Sequence, residues 1–201
     1  MNGKVHSEGV QAFELKSASS QAWLEMVLNN FDEFLLDHAA NERKASSMAM
    51  SMVAHYPDKH LLLAAMIDLA LEELNHFKQV VKLVNKRNLI LNPDEKDLYV
   101  NQIRSFVRKG TDPYFLDRLL TAAVIEARGA ERFAMIARHI EEAELAKFYG
   151  TLAKSEANHH LLFINMALNY FEENEVADRF EEWLEIEQDI LENLPIRPRL
   201  H

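Results

Sequence analysis

Two short phrases with the same chemistry occur in the two halves of the chain. They read Glu73-Leu74-Asn75-His76 and Glu156-Ala157-Asn158-His159. Each lies in a stretch with apolar residues at helical spacing, and positions i and i+3 place a carboxylate and an imidazole on one side of a helix. A lone glutamate precedes each phrase on the preceding predicted helix: Glu42 lies 31 residues before Glu73, and Glu126 lies 30 residues before Glu156. The chain therefore repeats one metal-ligating pattern twice.

All six side chains fall on the apolar stripes of their predicted helices. Isolated buried charges cost several kcal/mol unless they are paired or bound to a metal, so four carboxylates facing one core require cations. Four carboxylates and two imidazoles from four helices are the ligand set of ferritin-like di-iron or di-manganese proteins. In the usual arrangement two carboxylates bridge (Glu73, Glu156), two are terminal (Glu42, Glu126), and each imidazole binds one metal. The predicted ligands are Glu42, Glu73, His76, Glu126, Glu156 and His159.

Several neighbouring residues offer alternative ligands. His160 follows His159, but it lies four residues from Glu156 instead of three, so His159 fits the repeat better. Glu72 and Glu131 fall off the stripes and are expected on the surface. His38 lies one turn before Glu42, where it either lines the site or packs as a neutral core residue; the second is the more frequent case.

Composition narrows the class of protein. The 201 residues suffice for one domain with a sizeable core, and we expect residues 1–201 to form it. The hydrophobic fraction of 48% and charged fraction of 27% are ordinary for globular proteins. Cysteine is absent, which excludes disulfides, thiolate zinc sites and iron–sulfur ligands. The polar stretch 1–7 lacks the apolar region of a secretory signal, and no apolar run approaches the roughly 18 residues of a membrane span. We therefore expect a cytoplasmic protein with no membrane partner.

The helical periodicity predicts an all-α four-helix bundle over about residues 20–171, with residues 1–18 irregular. Its connections are short except between the second and third helices, where a long helical crossover is expected. An acidic fifth helix follows the bundle. The predicted helices span residues 20–55, 59–88, 94–109 (crossover), 114–140, 142–171 and 175–192.

Charge is distributed unevenly along the chain, whose net charge is −10. Residues 172–192 contain ten acidic residues against one arginine, whereas residues 78–109 contain eight basic residues against three acidic ones. Two solvated helix faces would explain this pattern, and so would a basic surface that binds nucleic acid. Arg43, Arg128 and Arg132 could pair with excess carboxylate or with a substrate phosphate, and simple surface ion pairs are the default expectation for them.

Three segments around the predicted ligands resemble one family closely. They read Asp37-His38-Ala39-Ala40-Asn41-Glu42-Arg43-Lys44-Ala45, Glu72-Glu73-Leu74-Asn75-His76-Phe77 and Ile125-Glu126-Ala127-Arg128-Gly129-Ala130-Glu131-Arg132-Phe133. They look like the bacterial tRNA hydroxylases that act on methylthio-isopentenyl-adenosine. All six ligand positions match, and the similarity extends from about residue 20 to 198.

This resemblance implies a ferritin-like, non-haem di-iron monooxygenase that uses O₂ to hydroxylate the isopentenyl side chain of a modified adenosine in the tRNA anticodon loop. The electrons would come from a separate donor, such as a ferredoxin and its reductase. The loop nucleotide would have to be unstacked to reach the metals. Basic residues of segment 78–109, with Arg43, Lys44 and Arg128, would contact phosphates.

Two other functions use the same six residues. An iron-storage or peroxide-detoxifying protein of the ferritin-like class would share the site, although storage requires a cage and rubrerythrin-type peroxidases usually add a cysteine-bound iron. A radical-generating reductase subunit would need a tyrosine beside the metals. Tyr149, seven residues before Glu156, leaves that interpretation open.

Overall fold

The computed structural model describes residues 14–201, and the predictions for residues 1–13 lie outside this range. The described part contains seven α-helices and no strand. No helix in residues 14–201 combines the length and apolar character needed to cross a membrane. The helices are α1 (Gln21–Asn29), α2 (Phe31–His55), α3 (His60–Lys86), α4 (Leu98–Ser105), α5 (Thr111–His139), α6 (Ala143–Tyr170) and α7 (Glu173–Asn193).

Helices α2, α3, α5 and α6 form the predicted four-helix bundle. The most extensive packing is within the hairpins α2–α3 and α5–α6, and α3 contacts α6 between the hairpins. The crossover from α3 to α5 carries α4, whose Val100 and Ile103, with the following Val107, line a cavity that α2 and α5 also line. The bundle thus has an α3–α6 side, where helices meet directly, and an α2–α5 side with a cavity.

A polar layer divides the apolar core of the bundle. One cluster of buried residues contains Met52, Leu62 and Phe163, and a second contains Phe34 and Tyr149. On α2, α5 and α6 the predicted ligands occupy sequence positions between the members of the two clusters. Each long helix is therefore apolar at both ends and carries ligand-type side chains in the middle of its buried stripe.

Several helix ends differ from their predicted positions. The predicted first helix is two helices separated at Asn30, whose amide side chain donates to the Met26 carbonyl oxygen (2.9 Å). Side-chain competition of this kind for backbone groups interrupts helices. The crossover helix is much shorter than the predicted 94–109, because Asp97 caps it by accepting from the Val100 N–H (2.9 Å). Helix α7 is close to its prediction.

Buried ion pairs attach α7 to the bundle. The Arg128 guanidinium on α5 is fully buried and donates to both carboxylate oxygens of Glu187 on α7 (2.8 and 3.0 Å), and the Tyr99 hydroxyl of α4 donates to the same carboxylate (3.0 Å). Arg132 is also buried and donates to the Leu200 carbonyl oxygen (2.7 Å). The expectation of surface ion pairs was therefore wrong for Arg128 and Arg132. Both arginines hold the C-terminal segment against α5.

Replacement of Arg128 by Ala should lower the free energy of unfolding by about 3–5 kcal/mol, because the Glu187 carboxylate would remain buried without its partner. Urea denaturation followed by circular dichroism measures this change. Lys86→Ala is the matched control, since it removes an exposed ion pair with Glu144 and should stay within roughly 0.5 kcal/mol of wild type. Equal effects of the two substitutions would show that the α5–α7 pair contributes no more than a surface pair.

Candidate metal centre

The structure brings all six predicted ligands together in the middle of the bundle. Their oxygen and nitrogen atoms form two clusters, in each of which the ligand atoms lie within 4.8 Å of one another. Glu73 and Glu156 belong to both clusters, as expected of carboxylates that bridge two ions. Their role as ligands stays a prediction, but their positions match the predicted pattern. One cluster contains Glu42, Glu73, His76 and Glu156, and the other contains Glu73, Glu126, Glu156 and His159.

Helix geometry and small neighbours create this cluster. The i, i+3 spacing puts each Glu-x-x-His pair on the core side of α3 or α6, and all six residues are buried. On α5, Gly129 faces the site: a Cβ added there would lie 3.8 Å from Cγ of Glu156. Ala45 and Ala122 also line the adjoining cavity. Short side chains at these positions leave space beside the carboxylates.

The electrostatics of the cluster show an excess of buried negative charge. Burial raises the pKa of Glu126 well above its usual range, and the neighbouring Glu156 raises it further. Burial, with the charge of Glu73, likewise raises the pKa of Glu156. Burial alone would lower the pKa of His76 and His159, but hydrogen bonds and charges from surrounding glutamates outweigh it and raise each to about 9. Bound protons on these glutamates and histidines therefore offset negative charge that metal cations would otherwise balance.

Four buried atoms in the cluster form no well-aligned hydrogen bond with the described residues: Oε1 of Glu73 and Glu156, Nδ1 of His76 and Nε2 of His159. Two of them face other ligand-type side chains, since Oε1 of Glu73 lies 2.8 Å from Nδ1 of His159 and Nε2 of His159 lies 3.3 Å from Oε2 of Glu72. Buried polar atoms are almost always hydrogen-bonded, so a single site with four such atoms fits a bound cation. Within residues 14–201, no lysine or arginine forms an ion pair with the four clustered carboxylates. Mixed carboxylate and imidazole donors suit first-row divalent metals such as iron and manganese, so the residues present fit a pair of such ions.

His38 is a functional candidate whose role the sequence left open. It is fully buried, its Nε2 lies 2.5 Å from Oε1 of Glu42, and its Nδ1 lies 3.3 Å from the Tyr149 hydroxyl. Burial would raise the pKa of Glu42, but the charge and hydrogen bond of His38 lower it well below its usual range. His38 therefore orients Glu42, and the Tyr149 hydroxyl contacts the other nitrogen of the same imidazole. The i, i+4 spacing of His38 and Glu42 could have suggested their contact, but the link to Tyr149 spans 111 residues.

The three residues considered as alternative ligands, His160, Glu131 and Glu72, lie outside both clusters. His160 contacts the Ala123 carbonyl oxygen through Nδ1 (2.8 Å) and is absent from both clusters. Glu131 is half-buried and accepts from the Ser19 hydroxyl (2.7 Å), so its expected surface position was wrong. Glu72 is half-exposed as expected, yet its Oε2 lies 3.3 Å from Nε2 of His159.

A cavity of about 510 Å³ connects the cluster with the α2–α5 side of the bundle. Glu42, Glu73, Glu126 and Glu156 form its inner end. Apolar residues form much of its wall: Met48, Val100, Ile103, Val107, Ile125 and Phe133. Such a cavity suits an elongated, apolar group that reaches the carboxylates.

Cations line the same cavity. Lys44, Arg104 and Arg118 have no ion pair with an acid of residues 14–201, whereas Arg43 pairs with Asp94. Of the basic residues predicted to contact phosphate, Arg43, Lys44 and Arg104 lie here. Arg87 and Arg108 instead form ion pairs within the fold, and Arg128 is buried. Lys78, Lys82 and Lys86 are not among the residues that line the cavity.

The bundle, its crossover and the buried Glu/His clusters define a ferritin-like protein with a site able to hold metal. A solved structure with the same fold is a Synechococcus protein with aldehyde deformylating oxygenase activity. It is 34% identical to this chain, with a TM-score of 0.89 over 94% of this chain and 96% of that one. The predicted ferritin-like fold is thereby confirmed.

Sequence comparison identifies the family. The family model described as tRNA-(MS2IO6A)-hydroxylase (MiaE) matches residues 7–201. A Pseudomonas putida tRNA 2-(methylsulfanyl)-N(6)-isopentenyladenosine(37) hydroxylase is 35% identical over 96% of this chain and 93% of its own length. A Salmonella typhimurium protein of the same name is 31% identical over 77% of this chain and 56% of its own length. The chain belongs to this family of tRNA hydroxylases, as the resemblance predicted.

The stability of the metal-free protein should fall as the pH rises from about 6.5 to 9. His76 and His159, with folded-state pKa values of about 9 against an ordinary 6.5, bind more protons in the folded state than in the unfolded state across this window. The raised carboxylate pKa values act in the same direction. We expect the Tm of chelator-treated protein to drop by about 5 °C or more over this range.

A divalent metal should remove this pH dependence, because the cations replace the protons. Differential scanning calorimetry of chelator-treated and Mn²⁺-loaded protein at several pH values measures both effects. His76→Gln/His159→Gln is the control, since it removes the two raised imidazole pKa values. A flat profile for metal-free wild type, or a slope that survives metal addition, would contradict this account of the site.

Proposed function

We propose that this protein hydroxylates the isopentenyl side chain of 2-methylthio-N6-isopentenyladenosine in tRNA, with O₂ as co-substrate. The observation that carries the proposal is the cavity, which has in its lining three cations without an acidic ion-pair partner in residues 14–201 (Lys44, Arg104 and Arg118), apolar walls and four carboxylates at its inner end. The cationic residues complement the phosphate backbone of tRNA, and the apolar wall complements the prenyl chain. The related Pseudomonas putida and Salmonella typhimurium proteins are named as hydroxylases of this nucleoside, which supports the same substrate.

Two iron ions are the proposed cofactor, held by Glu42, Glu73, His76, Glu126, Glu156 and His159. When bound, the iron pair supplies O₂ activation and insertion of one oxygen atom into a C–H bond. The carboxylate-rich donor set supports this choice, because anionic oxygen ligands suit iron in high oxidation states. His38 holds Glu42 in position through a contact of 2.5 Å, and Tyr149 in turn contacts His38 at 3.3 Å. We also infer that residues 1–201 form a single di-iron domain.

The cavity residues orient the substrate in this proposal. Ile103 and Val107 of the crossover, with Ile125 of α5, pack against the prenyl chain and exclude water around it. Arg104 and Arg118 contact phosphates flanking the modified nucleotide. The nucleotide must leave the anticodon stack, as enzymes that modify a base require.

The reaction needs two electrons from outside the chain. Hydroxylation combines R–H, O₂, two electrons and two protons into R–OH and water, and a chain without cysteine has no iron–sulfur centre to store electrons. We propose a ferredoxin and its reductase as the donor, and the cytoplasm as the location because tRNA is the substrate.

Two competing functions follow from the same site. A peroxide-detoxifying or iron-oxidising protein would need no cavity of this volume for an organic substrate. An aldehyde oxygenase, suggested by the Synechococcus protein, would use the apolar wall but would have no use for Lys44, Arg104 and Arg118. The cationic lining favours the tRNA substrate over both.

Nucleoside mass spectrometry tests the proposed function directly. The iron-loaded wild-type protein, reduced with dithionite and exposed to air, should add one oxygen atom to the isopentenyl adenosine of tRNA from a strain that lacks the hydroxylase. Glu73→Gln should abolish this gain because it removes a shared ligand. Consumption of a fatty aldehyde or of peroxide, with unchanged tRNA, would overturn the proposal in favour of one of the competing functions.

Val107→Trp should lower kcat/KM for tRNA hydroxylation at least tenfold, because the indole would occupy part of the cavity between the surface and the carboxylates. Val107→Ala is the matched control and should retain most of the activity. Iron content measured by a colorimetric chelator should be the same in both variants and wild type. Full activity of Val107→Trp would show that the substrate reaches the carboxylates by another route.

A further inference from the structure

Four lysines lie on the outer faces of α3 and α6, the side of the bundle away from the cavity. They are Lys78 and Lys82 on α3 and Lys147 and Lys154 on α6. All four are exposed, and none forms an ion pair with another residue of segment 14–201. Such a group is unusual on a protein with a net charge of −10. We call this surface the lysine face.

Helical spacing places these lysines together. Successive lysines differ by four residues on α3 and by seven on α6, so each pair projects from one side of its helix. The two helices are antiparallel neighbours, as contacts from Glu72 to Ser155 at one level and from Lys86 to Glu144 at another show. The lysine face therefore spans both helices.

The lysine face lies close to the metal-ligating imidazoles. Glu72, half-exposed between α3 and α6, has Oε2 3.3 Å from Nε2 of His159 and Oε1 3.9 Å from Nε2 of His76. The Glu72 carboxylate thus links both imidazoles to the exposed surface between α3 and α6. Electrons, unlike a prenyl chain, need no cavity to cross such a short distance.

Exposed leucines complete the surface. Leu71 on α3 is 62% exposed and Leu161 on α6 is 44% exposed. Apolar residues surrounded by charged ones are typical of protein–protein interfaces. The acidic residues on or beside the face are Asp68, Glu72 and Glu144, of which Glu144 pairs with Lys86 and Glu72 lies against the imidazoles of His159 and His76. The charge of the face complements an acidic partner.

We propose that the lysine face is the docking site for an acidic iron–sulfur protein that delivers electrons one at a time to the metal centre. The inference rests on the proposed function, in which each turnover consumes two electrons. Two reduced iron–sulfur clusters are each oxidised by loss of one electron, and the two electrons with O₂, two protons and the substrate C–H bond give the hydroxylated side chain and one water.

Transfer RNA is the other polyanion that this face could attract. The cavity, however, opens between α2 and α5, and helices of about 10–12 Å diameter put the lysine face roughly 20 Å away across the bundle. The cations that line the cavity, Lys44 and Arg104 among them, are better placed for the nucleotides next to the modified base. Donor and tRNA can then bind at the same time.

Two matched double variants distinguish the docking site of the iron–sulfur protein from the binding site of tRNA. Lys78→Glu/Lys82→Glu changes the lysine face, and Lys44→Glu/Arg104→Glu changes the cavity lining by the same net charge. Binding of a plant-type [2Fe–2S] ferredoxin and of the tRNA anticodon stem-loop is measured for each variant by surface plasmon resonance at low and moderate salt. We expect the first variant to weaken ferredoxin binding at least tenfold and the second to weaken stem-loop binding by a similar factor.

The reverse pattern would overturn the inference and assign the lysine face to tRNA. Ferredoxin binding that is undetectable for wild type, or that is unaffected by Lys78→Glu/Lys82→Glu, would overturn it as well. Circular dichroism and iron content show whether each variant folds and loads metal. Failure of the proposed function is detected separately, by wild-type protein reduced with dithionite alone, which needs no docking partner.

Discussion

Burial of four carboxylates within one helical bundle is the constraint on which this structure depends. Without cations, each carboxylate in such a core costs several kcal/mol, and the described part of the chain supplies no lysine or arginine to compensate. The raised pKa values of Glu126, Glu156, His76 and His159 are the protein's response when protons are the available cations. A pair of metal ions would satisfy the same charges together with the four atoms that lack a well-aligned hydrogen bond.

This polar layer must be held by the apolar structure on either side of it. The two buried clusters, one around Leu62 and Phe163 and the other around Phe34 and Tyr149, pack the helix ends and fix the distance between the helices at the layer. His38 extends the polar layer towards the second cluster, where it contacts Tyr149 and packs against Phe133. The site is thus positioned by rigid helices instead of loops, which suits a site that must keep six ligands in register.

The sequence was sufficient to predict the bundle and the candidate ligands because both depend on local spacing. A glutamate or histidine that interrupts a 3.6-residue apolar stripe can be recognised without knowing the partner helix. Other features depend on contacts between distant residues. The contact of Arg128 with Glu187 spans 59 residues, and neither side chain lies in a pattern that distinguishes a buried pair from two surface charges. The break at Asn30 and the short crossover helix depend on single side-chain caps, which helical periodicity does not reveal.

The basic segment 78–109 shows why charge alone could not assign a partner. In the sequence its eight cations form one group, but the fold places five of them in three different environments. Arg87 and Arg108 pair within the protein, Arg104 lines the cavity, and Lys78 and Lys82 lie on the α3–α6 side. An enzyme that hydroxylates a nucleic acid has to bind this large substrate and its electron donor without one blocking the other. The bundle has a cavity on the α2–α5 side and exposed lysines on the α3–α6 side, so the order of the helices around the bundle determines which cations can meet which partner.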